Sequence, residues 1–178
     1  MTLPKPYAWL ADEPGPRILK EMVALHGTLE APGKRNNPMI LMWAKHIGLG
    51  SVYKADSVAW CGLTVAYAAA QAGFDHAPRG NALWARNWAV WGNPADKPAL
   101  GDVLVFARKA GGHVGLYVAE DATAFHVIGG NQGDSVSIKR IAKSRLLAAR
   151  RCPWRVNQPA NVRRVVMTAA GGLSKNEA

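Results

Sequence analysis

Two cysteines in a chain of 178 residues are too few for a disulfide framework, and Cys61 and Cys152 belong to no C-x-x-C pair. Both are expected to be reduced. Long hydrophobic runs are missing too, and Met1-Thr2-Leu3-Pro4-Lys5-Pro6 leads into no apolar segment of the secretory type. The chain is therefore expected to be made in a cytoplasm without a signal peptide of its own. Acidic residues are scarce, 12 against 22 Lys and Arg, which leaves a formal net charge of +10. Such an excess attracts polyanions in general, whether nucleic acid, anionic lipid or an acidic polymer such as a cell wall, without choosing among them. The signatures that would make the choice are lacking. No RRM, KH, zinc-finger or helix-turn-helix pattern occurs, so no specific nucleic-acid partner is expected. No H-E-x-x-H or C-x-x-C spacing occurs either, which weighs against a zinc site built from Cys61, His113, His126 and Cys152. Neither a metal nor a cofactor is expected.

What is present indicates one globular domain with a substantial core: 49% apolar residues and 19% charged ones. Ile18, Met22 and Leu25 recur at helical spacing across residues 17–26, and Gly27 ends the run. Asn37 followed by Pro38 reads as an N-cap and first helical residue, opening a helix to Ile47 that buries Ile40, Trp43, Ala44 and Ile47. A third helix, rich in alanine, runs from Cys61 to Gly73. A fourth is expected over residues 82–91, with Trp84, Trp88 and Trp91 at i, i+4 and i+7. Such a stripe is more often core than a ligand platform. After Pro98 the period changes to that of strands: residues 102–106, 113–118, 123–128 and 135–138, separated by turns at Gly111-Gly112, Glu120-Asp121-Ala122 and residues 129–134. Helices first and an antiparallel sheet second make an α+β domain. Basic residues crowd the C-terminal part, Lys139, Arg140, Lys143, Arg145, Arg150, Arg151, Arg155, Arg163 and Arg164, and read equally well as a solvated surface. The expected division is a domain over residues 1–154 and a basic, flexible tail over 155–178.

The chemistry is expected around Asp56-Ser57-Val58-Ala59-Trp60-Cys61-Gly62. A cysteine at the start of a helix meets unpaired backbone N–H groups and a partial positive charge, which favour thiolate over thiol. Gly62 leaves room beside the sulfur for a substrate carbonyl. His113 opens a strand after two glycines and is a candidate base. Cysteine at a helix start, histidine at a strand start and a polar residue just beyond is the chain order of papain-like cysteine hydrolases.

Five segments sharpen that order: Ala59-Trp60-Cys61-Gly62, Leu100-Gly101-Asp102-Val103-Leu104-Val105-Phe106, Gly112-His113-Val114-Gly115-Leu116-Tyr117, the Gly27-Thr28-Leu29-Glu30-Ala31-Pro32-Gly33 stretch with Asn37-Pro38, and Gly129-Gly130-Asn131-Gln132. Together they resemble the NlpC/P60 and CHAP superfamily of peptidoglycan hydrolases, and within it single-domain phage and prophage endolysin-like proteins, over residues 8–154. The resemblance implies a papain-like fold, with Cys61 as nucleophile and His113 as general base and then acid. As third member it implies Asn131 by the CHAP pattern or His126 by the NlpC/P60 pattern. Asn131 is favoured because an amide carbonyl can accept the imidazole N–H. Asp56, Ser57 and Trp60 are implied as groove residues, Asn36, Asn37 and Trp84 are further candidates for substrate contact, and the Cys61 N–H is an oxyanion donor. The expected partner is bacterial peptidoglycan, approached by a monomer whose basic residues favour an anionic envelope. The expected route to the wall is release from the bacterial cytoplasm by a holin or by lysis. Cleavage inside the peptide is favoured over N-acetylmuramoyl-L-alanine amidase action. A non-catalytic wall-binding module and an acyltransferase on the same scaffold are the alternatives.

Overall fold

A computed structural model of the chain describes residues 2–109, 111–168, 171–175 and 177. Three α-helices come first: α1 (Arg17–Ala24), α2 (Pro38–His46) and α3 (Cys61–Gln71). The strands follow as β1 (Asn93–Pro94), β2 (Val103–Ala107), β3 (Gly112–Glu120), β4 (Ala124–Gly129), β5 (Ser137–Ala142) and β6 (Leu146–Arg151). They form one antiparallel sheet in the order β1-β6-β2-β3-β4-β5. The α+β class expected from the sequence is the one observed. Among the described residues no helix is long and apolar enough to cross a membrane.

Alternation along the strands explains how the sheet is buried on both faces. In β2, Val103 and Val105 join the main core with the helices, whereas Leu104 and Phe106 join a second cluster with Tyr117, Phe125, Val127 and Ile141. The alanines of α3 let this helix lie close against β3, and Leu63, Val65, Ala66, Ala68 and Ala69 are all buried in the main core. A side chain such as Leu63, wholly removed from water, contributes about 1.5–3 kcal/mol by transfer alone. Asn37 caps α2 as expected, its Oδ1 accepting from the Met39 N–H at 2.8 Å.

Three expectations about the fold are corrected. The helix expected over residues 82–91 is shorter and tighter, a 3-10 helix at Ala85–Val90; Trp88 and Trp91 are core, but Trp84 precedes the helix and is 55% exposed. The Trp88 and Trp91 indole N–H groups donate to the Ala82 and Asp75 carbonyls, so the local chain follows the tryptophans' hydrogen bonds rather than an α-helical period. Strand β6 was not expected, because its arginines mask a short apolar run. Those arginines have inward partners: Arg151 pairs with Asp102 at 2.8 Å, and Arg150 donates to the Trp91 and Gly92 carbonyls.

The segment after residue 154 is not a free tail where it is described. Arg163 pairs with Glu13, and Arg164 with Glu120. The Glu120 N–H donates to the Val165 carbonyl and the Met167 N–H to the Glu120 carbonyl, so this stretch runs beside the end of β3. Further on, the Ser174 N–H donates to the Arg140 carbonyl on edge strand β5. The end of the expected tail at residues 169, 170, 176 and 178 lies outside the described residues. Several of the basic residues are thus committed to ion pairs, among them Arg140 with Asp121, Lys143 with Glu120 and Arg145 with Glu177.

Candidate active site

Cys61 is the first residue of α3, and its sulfur lies against the first residues of β3. Burial pushes the thiol up, opposed by the N–H groups of Val114, Gly62 and Cys61 itself and by the charge of Arg108. The helix start therefore does donate to the sulfur as the sequence suggested, but desolvation outweighs it and the neutral thiol is favoured. Cys61 lines a cleft of about 370 Å³ with Ala59, Leu83, Trp84, Ala85, Arg108, Gly111 and Gly112. The exposed indole of Trp84 stands in its wall.

His113 is wholly buried at the start of β3, opposite Phe106 of β2. Its Nε2 lies 3.1 Å from the Gln132 Oε1. Gln132 cannot be turned the other way round, because its amide nitrogen already donates to the Val127 and Ser137 carbonyls. The Gln132 oxygen must therefore accept, and Nε2 must carry the proton. Nδ1 is left as the basic nitrogen, and it is buried without a hydrogen-bond partner among the described residues. Burial also lowers the pKa of His113 from 6.5 to about 4. The resting site thus holds a neutral thiol and a neutral imidazole whose tautomer is fixed by the chain.

The side chain that meets the His113 imidazole is Gln132, the residue after Asn131, where the sequence placed that contact. Asn131 adopts φ 56°, a left-handed conformation that asparagine tolerates better than most residues. Its place in the turn is explained by that backbone, and the imidazole bond goes to Gln132. The alternative, His126, is engaged elsewhere: its Nε2 bonds Asp121 at 2.9 Å and its Nδ1 meets the Tyr7 hydroxyl at 2.9 Å. Asp121, held far below the usual carboxylate range chiefly by Arg140, fixes that second cluster.

Several residues expected to touch substrate instead build the frame. The Asp56 carboxylate is buried and accepts from the Ala31 and Asn37 N–H groups at 2.9 and 2.7 Å, while Asn36 accepts from the Asp56 N–H at 3.0 Å. Trp60 is core, its indole N–H donating to Glu30 at 3.0 Å. Ser57 is exposed and, like Asn36, Asn37, Asp56 and Trp60, is not among the cleft-lining residues; of the proposed contacts only Trp84 is. Gly62 also has a different role. A Cβ there would come 2.3 Å from the Ala82 carbonyl oxygen, so the glycine admits the 82–83 loop to the helix rather than a substrate. Gly130 likewise lets the 129–134 turn lie on α3, for its Cβ would fall 2.0 Å from the Thr64 hydroxyl. The connector over residues 27–37 then pairs with that turn through Leu29 and Ser135 and through bonds at Gly27, Glu30 and Val136. The motif segments at 27–37, 59–62, 112–117 and 129–132 are brought together in this way.

Sequence reasoning missed Gln132, Arg108 and Leu83. Gln132 stood inside a quoted motif; the signal available was the left-handed preference of its neighbour, which assigns Asn131 to the turn. Among the described residues no three His, Cys, Asp or Glu side chains gather as metal ligands would. The chain matches no protein-family model, no curated protein and no solved structure.

A neutral resting pair has a measurable consequence. The rate at which iodoacetamide alkylates Cys61 should climb with pH through and beyond 9, because the thiol's pKa is raised and only the thiolate reacts. Mass spectrometry of the Cys61 peptide gives the rate, and a plateau between pH 5 and 8 would reveal a preformed thiolate–imidazolium pair instead.

Proposed function

We propose that the chain is a papain-like cysteine hydrolase that cleaves an amide bond in the peptide part of bacterial peptidoglycan. The observation that carries the reading is the fixed tautomer of His113: a buried imidazole with its proton held toward Gln132 and a bare Nδ1, on the strand whose next N–H reaches the Cys61 sulfur. His26 Nδ1 is buried and unpaired as well; what sets His113 apart is the bond that fixes its tautomer and its place on the strand that meets the Cys61 sulfur. A base that must take up a proton during a reaction needs its basic nitrogen unoccupied.

The chemistry follows from these positions. The Cys61 proton passes to Nδ1 of His113 as the sulfur attacks the substrate carbonyl, and the backbone N–H groups at the start of α3 face the developing oxyanion. The imidazolium, still bonded to Gln132, returns the proton to the leaving amine. Water, deprotonated by the same nitrogen, then attacks the thioester and frees the thiol. The net charge of +10 favours an acidic polymer, and the resemblance of the motif segments to peptidoglycan hydrolases supports the wall as that polymer. Endopeptidase action is favoured over amidase action by the NlpC/P60-like features.

Incubating purified peptidoglycan with the protein and identifying the new chain ends by mass spectrometry tests the reading. New amino groups on stem or cross-bridge residues, with muramic acid still joined to L-alanine, are expected. Free N-terminal L-alanine beside naked glycan would show an N-acetylmuramoyl-L-alanine amidase. An unchanged wall would remove the hydrolase reading.

A further inference from the structure

The C-terminal segment approaches the candidate site in an unusual manner. Residues 171–173 and Lys175 are exposed, yet Glu177 is wholly buried. Its carboxylate sits in a two-point fork on Arg145, Nη1 to Oε1 at 2.8 Å and Nη2 to Oε2 at 2.7 Å. Arg108 reaches the same carboxylate, with Nε 4.0 Å from Oε2, and Arg108 also lines the cleft that holds Cys61. The Glu177 charge is close enough to act on His113, where among the charges it is the leading influence. The fork itself is held by the body of the domain, because the Arg145 Nε donates to the Ala107 carbonyl at 3.1 Å. Among the described residues, Leu173 bridges Arg140 in parallel on the edge of β5, Ser174 donates to the Arg140 carbonyl, and Gly133 donates to the Glu177 carbonyl.

An extended segment that adds to a sheet edge and buries one acidic side chain binds as a peptide ligand does, with the main chain aligning it and one pocket reading the side chain. A planar guanidinium preset by a bond to the fold is well suited to a carboxylate, and a second cation beside it strengthens the preference. A buried pair of this kind is a poor device for stability, since desolvation offsets most of its attraction. Placed beside Cys61 and His113, it is suited to reading a substrate.

We propose that Arg145 and Arg108 form a carboxylate-binding subsite of the cleft, and that Glu177 fills it as a displaceable internal ligand. Its external ligands are acidic peptides, which present a free carboxylate at a fixed distance from the scissile amide. This deepens the hydrolase reading and rests on it for the identity of the substrate as a carboxylate-bearing peptide stem. Displacing Glu177 opens the subsite, so the C-terminal segment competes with substrate.

Binding without turnover tests this. Glutarate is titrated into the parent chain and into Glu177→Gln, followed by isothermal calorimetry. Emptying the subsite should raise the apparent affinity about tenfold or more, the factor by which an internal occupant present nine-tenths of the time suppresses it. Adding Arg145→Gln to Glu177→Gln should abolish binding, and the neutral diamide of glutaric acid should not bind. Equal affinity in parent and Glu177→Gln, or equal binding of the diamide, overturns the proposal. Should Glu177→Gln fold poorly, the parent alone decides: saturating glutarate should shift the Gly133 amide resonance as its bond to Glu177 breaks, and an unmoved resonance overturns the proposal. Glutarate binding as described by a protein that leaves the wall intact would remove the hydrolase reading and keep the subsite; an active hydrolase indifferent to glutarate would do the reverse.

Discussion

Replacing Cys61 with serine should lower wall degradation by about three or more orders of magnitude while the protein stays folded. The expectation follows from the site's electrostatics. Burial pushes the thiol up and pulls His113 down to about 4, so the resting pair is neutral and the proton must cross during the attack. A thiol makes that transfer feasible because sulfur carries negative charge well. A serine hydroxyl is a far weaker acid, and an imidazole of such low basicity has little power to activate it. The packing cost is small by comparison: the hydroxyl is smaller than the thiol and can accept from the same N–H groups of Val114 and Gly62. The melting transition by circular dichroism should therefore move by no more than about 1–2 kcal/mol in stability. Digestion of purified peptidoglycan, followed by turbidity and by mass spectrometry of released fragments, reads the activity. Lytic activity within tenfold of the parent in a folded Cys61→Ser protein would end the cysteine mechanism.

The local elements were legible because their signals are local. Asn37 and Pro38 started α2 where a cap and a first-turn proline should, and the period-2 run after Pro98 gave β2, β3 and β4 with ends off by a residue or two. What was not legible depends on distant partners. Strand β6 is two-thirds arginine and alanine, and reads as a strand only when Asp102 and the Trp91 and Gly92 carbonyls stand ready to receive the arginines. The same blindness made the basic C-terminal residues look like a free cationic surface. Asp56, Asn36 and Trp60 stood beside the cysteine in sequence or motif and so were expected in a groove. Their hydrogen bonds run to the 30–37 connector, which the chain's linear order does not reveal. Cys61 and His113 were placed where they lie because their positions follow from their own elements, a helix start and a strand start. The carboxylate of Glu177 lies 64 residues along the chain from His113 and could be placed only by the fold.

Substituting Gln132 with alanine should cost activity about a hundredfold or more, whereas Asn131→Gly should stay within a few-fold of the parent. The two residues are adjacent and both carry amides, so the contrast isolates geometry from chemistry. Gln132 holds the proton of His113 on Nε2 and keeps Nδ1 bare; without it the ring is free to turn or to change tautomer. Asn131 serves the turn through its positive φ, a demand that glycine meets without strain. Gln132→Ala also loses two bonds to the Val127 and Ser137 carbonyls, so lower stability alone could reduce activity. The pH profile separates these causes. Accepting from Nε2 favours the imidazolium, so removing Gln132 lets the His113 pKa fall further, and the acid limb of kcat/KM should move to lower pH. Loss of folded protein would reduce the amplitude and leave the limb where it was. Measuring kcat/KM from about pH 2.5 to 9 for the parent and both variants, corrected for the folded fraction, reads the difference. A Gln132→Ala protein with parental turnover, or an Asn131→Gly protein without it, would return the third position to Asn131.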